Sequence, residues 1–187
     1  DTVGFQYETP KPEWFEALHE TMPHVKNFEF GGREEHIAAI SKFEQVEYIQ
    51  IEPPTEKWID MLSKKPSVRR IVINGHVSTA GLEQLAKFPD LTELTLSKGI
   101  TDEDFRVLSK SKRLTRLAIY TKTKEWTATG KGLAELADLD PLETLTFGNN
   151  ELPPSIDVQA LKKQLPYCSI EFAEAGQMKR LPAEPRP

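Results

Sequence analysis

The stretch "LTELTLSKGITDEDFRVLSKSKRLTRLAIY", residues 91–120, states one pattern twice. Leu91-x-x-Leu94-x-Leu96 returns 23 residues later as Leu114-x-x-Leu117-x-Ile119, with Phe105 and Leu108 between the copies. Outward from there the same grid reads Val25/Phe28/Phe30, Val46/Ile49/Ile51, Val68/Ile71/Ile73 and Leu142/Leu145/Phe147, with a degenerate last copy at Ile170/Phe172. Its starts at 25, 46, 68, 91, 114 and 142 are separated by 21, 22, 23, 23 and 28 residues. Self-similarity at such a period marks a repeat architecture.

Each grid is short, leucine-rich or β-branched, and alternates at its end, which predicts a strand. Between grids runs a helical spacing: Phe15/Leu18/Met22, Ile37/Ile40/Phe43, Ile59/Leu62, Leu82/Leu85/Phe88, Phe105/Leu108, Leu133/Leu136/Leu139 and Leu161/Leu165. Apolar residues three or four apart give each helix one face for a core. Ser78-Thr79 and Thr101-Asp102-Glu103-Asp104 supply side-chain acceptors for helix starts. Pro89, Pro141 and Pro166 stand where a helix must stop before the next strand. One strand and one helix of about 23 residues cannot bury an apolar face alone, so stacked copies must share a core.

The segment "LETLTFGNNELP", residues 142–153, resembles the leucine-rich-repeat consensus L-x-x-L-x-L-x-x-N-x-L-P, with Asn150 in the asparagine position. "GITDEDFRVLSKSKRLTRLAI" and "STAGLEQLAKFPDLTELTL" resemble the helix-bearing bacterial leucine-rich repeats, and "LKKQLPYCSIEF" their last unit. His76 and Gly99 replace the family asparagine in two earlier units, whose turns must satisfy their backbone otherwise. The resemblance implies an α/β fold: a right-handed solenoid of about 6–7 repeats over residues 12–172, with a parallel sheet on the concave side and helices on the convex side. Residues 1–11 would cap the first unit or lie loose. Residues 173–187, polar, small and proline-rich, are expected to form a disordered tail.

A chain of 187 residues is one domain, at most with appendages, and is long enough for a real core. No apolar run is long enough to span a membrane. The single cysteine, Cys168, excludes an internal disulfide and a cysteine-rich zinc site; it is expected buried and inert in the terminal strand. The chain starts at Asp1, as a processed or trimmed product would. Had a signal peptide preceded it, the protein is exported, periplasmic or secreted; otherwise it is cytoplasmic. The net charge of −5 is unevenly spread: residues 1–60 hold 5 basic and 13 acidic side chains, 61–130 hold 13 and 7, and 131–187 hold 6 and 9.

Catalytic constellations fail on inspection. "HETMPH" lacks the zinc-protease spacing, because His19 and His24 are five apart and Pro23 ends the helix between them. "NGHVSTAG" has no lysine and is no phosphate loop. No enzyme activity, cofactor or metal is expected.

If the grid points inward, the residues between point outward. Two stripes result: Asn27, Tyr48, Arg70, Glu93, Arg116, Thr144, and Glu29, Gln50, Val72, Thr95, Ala118, Thr146. Arg70, Glu93 and Arg116 form a plus–minus–plus ladder. Either the charges satisfy one another or the surplus awaits an acidic group. The longest step between grids contains "YTKTKEWTATGKG", residues 120–132, with Tyr120, Lys122, Lys124 and Trp126. Trp126 either anchors a partner or plugs the adjacent repeat. Trp14 and Trp58, at helix starts, are expected to pack.

The expected function is a non-catalytic scaffold for protein–protein interaction, binding through the concave sheet, the 120–132 loop, or both. Candidate contacts are Tyr48, Arg70, Glu93, Arg116, Tyr120 and Trp126. The alternative is polyanion or nucleic-acid binding through the basic segment 64–124. The acids Asp102, Glu103 and Asp104, with the negative total charge, argue against nucleic acid. A monomer is expected, since both ends carry capping sequence. The partner itself is not legible.

Overall fold

A computed structural model of the chain describes residues 2–4, 10–29, 34–52, 55–97, 99–121, 125–153 and 155–186; side chains 149–151 lie outside that description. The grid residues become neighbours across one sheet. Phe28, Ile49, Ile71, Leu94, Leu117, Leu145 and Ile170 are successive partners, as are Ile51, Ile73, Leu96, Ile119, Phe147 and Phe172. All are buried. Burying each such side chain is worth about 1.5–3 kcal/mol, so every repeat contributes its own share of core.

The strands run β1 (Thr2–Gly4), β2 (Asn27–Glu29), β3 (Tyr48–Ile51), β4 (Arg70–Ile73), β5 (Glu93–Leu96), β6 (Arg116–Ile119), β7 (Thr144–Glu151), β8 (Ser169–Glu174) and β9 (Gln177–Leu181). They lie in chain order in one sheet, parallel from β1 to β8 and antiparallel at β9. Seven α-helices are described between them: α1 (Pro12–Thr21), α2 (Ile37–Ile40), α3 (Glu56–Ser63), α4 (Thr79–Leu85), α5 (Asp102–Leu108), α6 (Gly130–Ala134) and α7 (Val158–Gln164). The molecule is therefore α/β. Each parallel strand pair needs a crossover, and the helices supply it.

Helix boundaries follow the capping chemistry. Thr55 caps α3 and Ser78 caps α4 by accepting from the Trp58 and Gly81 N–H groups. At α5 the box closes both ways: the Thr101 hydroxyl accepts from the Asp104 N–H at 3.2 Å, and the Asp104 carboxylate accepts from the Thr101 N–H at 2.9 Å. The buried Asp104 also accepts from the Thr79 hydroxyl of α4, joining consecutive helix starts. Trp58 is fully buried as expected, whereas Trp14 is 43% exposed on α1 and is not core. At the front, Phe15, Phe28 and Phe43 pack ring to ring. His19 meets Phe43 edge-on, and α1 ends before His24.

The sheet runs beyond the repeats at both termini, and the C-terminus departs from expectation. Residues 2–4 add a strand parallel to β2, which is the capping alternative of the two expected for residues 1–11. The expected disordered tail is instead a hairpin strand: β9 pairs with β8 along Ile170↔Leu181 to Glu174↔Gln177. The reversal is a two-residue turn in which Ala175 (φ 51°) and Gly176 (φ 75°) both take left-handed backbone. Beyond it, Arg186 reaches the Asp140 carbonyl at 2.5 Å and the Glu184 N–H donates to the Pro166 carbonyl.

Candidate functional site

Helices cover one face of the sheet, and side chains on the other face alternate outward with the pleat. The two outward rows are registers of the sheet, except that Glu29 pairs with Gly4 and has no described pairing with Gln50. Asn27, Tyr48, Arg70, Glu93, Arg116, Thr144 and Ser169 are successive partners, and Gln50, Val72, Thr95, Ala118, Thr146, Glu171 and Arg180 form the second row. A third row follows by alternation: Asn74, Ser97, Tyr120 and Gly148. Its hydrogen bond from the Ser97 hydroxyl to Asn74 Oδ1 spans 3.1 Å.

Four of the six candidate contacts lie in the first row. Glu93 sits between two arginines, its Oε2 3.3 Å from Arg70 Nε and its Oε1 3.1 Å from Arg116 Nη1. Arg70 also lies over the Tyr48 ring at 5.0 Å, a cation–π contact. Tyr48 is half-buried; burial foremost, then the Glu29 carboxylate, raises its phenol pKa, with Arg70 opposing. One carboxylate shared by two guanidiniums leaves the row with a surplus positive charge. Arg70 and Arg116 remain mostly exposed, and Glu93 is the one acid paired with either among the described residues.

Tyr120 joins the face from the end of β6. Its ring lies across Gly148, where a Cβ would overlap it. Trp126 does not join the face. Its ring packs against Phe147 and Phe105, with centroids 5.7 and 6.3 Å away, and its Nε1–H donates to the Ala128 carbonyl at 2.7 Å. The tryptophan plugs the repeat. Lys122 and Lys124 lie outside the described residues, as does the Asn150 side chain.

The sequence reading missed the far end of the second row. Glu171 accepts from the Thr146 hydroxyl at 3.1 Å and lies 3.7 Å from Arg180, whose Nε–H donates to Ser169. Arg180 belongs to β9, so the network was invisible while that segment read as a tail. The basic middle also divides. Arg70 and Arg116 lie on the open face, whereas Lys87, Lys110, Lys112 and Arg113 surround a groove at the helix ends.

The two main rows contain no histidine or cysteine. Cys168 is buried just before β8, and desolvation raises its thiol to about 11. Among the described residues no cluster of His, Cys, Asp and Glu could hold a metal, and no helix is long and apolar enough to cross a membrane. No protein-family model matches the chain, and neither does any of the curated proteins compared with it.

Proposed function

We propose that the chain is a leucine-rich-repeat scaffold, a right-handed solenoid of about 6–7 units whose sheet lines the concave side, and that it binds another protein there without catalysing a reaction. The observation that supports this most is the open face itself. Its rows continue from strand to strand, and apart from the buried Ser169 at the far end their described side chains stay half-exposed or exposed around a small, uncharged centre at Val72, Thr95 and Ala118. Its backbone is held by parallel pairing, so association orders little that was loose before. Tyrosine and arginine, the residue types at Tyr48, Arg70 and Arg116, are over-represented among interface anchors.

The test is capture of partners from an extract of the source cells on immobilised protein, beside a Tyr48→Ala, Arg116→Glu variant of unchanged thermal stability. A protein retained by wild type and lost by the variant supports the reading. Equal retention by both moves the site off this face, and retention of nothing overturns the scaffold.

A further inference from the structure

Four of the cations that do not reach the open face meet at one place. A groove of about 330 Å³ opens between the α4–β5 and α5–β6 turns, lined by Ala86, Lys87, Phe88, Lys110, Lys112 and Arg113, with Pro89 at its rim. All four cations are exposed, and among the described residues none has an ion pair. A smaller groove beside it is lined by Glu83 together with Lys87 and Lys110, and the Glu103 carboxylate, held low chiefly by Arg106, also feels Lys110.

Part of this charge has an ordinary explanation. Lys42, Lys64, Lys87 and Lys110 occupy the same place in four consecutive repeats, four residues before Val46, Val68, Leu91 and Leu114. There each follows or caps a helix C-terminus, where a cation opposes the helix dipole. Lys42 and Lys64 are further neutralised by Glu16 and Asp60. Lys87 and Lys110 make no such ion pair among the described residues, although Glu83 and Glu103 lie near them, and Lys112 and Arg113 lie beyond α5, where they support no helix end. Four like charges around one groove repel one another. Helix capping accounts for two of them, and a concentrated anion accounts for all four.

We infer that this groove binds a compact oligophosphate, the phosphoryl groups meeting Lys87, Lys110, Lys112 and Arg113 and the remainder resting on the apolar floor of Ala86 and Phe88. Lysine ammoniums act as point charges toward phosphate. A peptide with one carboxylate per residue does not supply the charge density that four cations around so small a groove demand. A long polyanion is disfavoured by the neighbouring repeat, which puts Asp138 where its predecessors have lysine and Asp140 two residues on.

The test is isothermal titration of the full chain with tripolyphosphate at about 50 mM salt, where screening is weak. Wild type is expected to bind, with affinity falling as salt rises. Lys112→Glu with Arg113→Glu is expected to weaken binding by about tenfold or more, while Arg70→Glu with Arg116→Glu binds as wild type. Thermal midpoints check that both variants fold. Failure of wild type to bind, equal loss in the open-face variant, or monophosphate binding as tightly as tripolyphosphate would each overturn the assignment. Tighter binding of a single-stranded oligonucleotide than of tripolyphosphate would overturn it in favour of nucleic acid. None of these outcomes depends on a protein partner at the open face.

Discussion

Asp102, the first residue of α5, holds Thr129, the N-cap of α6. One carboxylate oxygen accepts from the Thr129 N–H at 2.6 Å and the other from its hydroxyl at 2.8 Å. Thr129 in turn accepts from the Lys131 N–H. A single carboxylate thus holds the start of α6, the helix that closes the long 120–132 insertion. Hydrogen bonds to a charged group are worth roughly 1.5–3 kcal/mol each. Both bonds are solvent-exposed, which discounts that figure, so Asp102→Ala should lower stability by about 1–3 kcal/mol, measured by urea denaturation. A cost under about 0.5 kcal/mol would show that α6 is placed by packing alone.

Gly132 makes that approach close. A Cβ there would overlap the Asp102 backbone and carboxylate, whereas a Cβ at Gly130 would meet nothing within 4 Å. Gly132→Ala should destabilise by about 1–3 kcal/mol through overpacking. Gly130→Ala should be neutral or stabilise by up to about 1 kcal/mol through helix propensity. Opposite signs for two alanines in one short helix, read from chemical denaturation, are the expected result.

Glu93→Gln removes the negative member of the ladder and leaves both arginines. All three side chains are substantially solvated, so each pair contributes at most about 1 kcal/mol. The expected loss is below about 1.5 kcal/mol, and it should shrink further as salt is raised. A larger loss would make the ladder a structural clasp rather than a surface feature.

Cys168 gives a pH dependence of known sign. The folded thiol keeps its proton up to about 11, against an ordinary value of 9.0. Between those values the unfolded chain has released its proton and the folded chain has not. The stability contribution is therefore intact below pH 9 and falls as pH rises toward 11. Unfolding midpoints across that window should fall less steeply in Cys168→Ala than in wild type. At pH 8 the native thiol should resist alkylation that proceeds readily in denaturant.

Ala175 occupies left-handed backbone that an alanine side chain disfavours. Asparagine tolerates that conformation and suits the first position of a two-residue hairpin turn. Ala175→Asn should therefore stabilise the protein by about 0.5–1 kcal/mol, a rise of roughly 1–4 °C in melting temperature. An unchanged melting point would argue that the hairpin adds nothing to the end of the sheet, and a lower one that asparagine fits the turn worse than alanine.

The repeat and its register were legible because burial of alternate residues writes itself directly into the Leu-x-x-Leu-x-Leu grid. The open-face ladder was legible for the same reason: Arg70, Glu93 and Arg116 take equal places in equal units. What stayed hidden depends on contacts between units. Trp126 offered both an anchor and a plug until Phe147 and Phe105 were found beside it. The β9 hairpin lacked the usual Asn-Gly signal at its Ala175-Gly176 turn, and Gln177–Leu181 has only two apolar residues. The anion groove joins Lys87 to Lys112 and Arg113 across two repeats, a proximity that charge counts along the chain do not carry.

Each unit is tied mainly to the one before it. Lys65 donates to the Ser41 and Phe43 carbonyls, Ser67 to those of Glu44 and Val46, Thr92 to Arg69 and Thr115 to Thr92. Such a molecule behaves mechanically as a row of latches rather than a block. Under tension applied at its ends, a yielding unit sheds its load onto one neighbour instead of the whole core. Each released unit frees roughly 75 Å of extended chain, so the protein would lengthen in discrete steps and recoil by re-latching against whatever part of the row still holds.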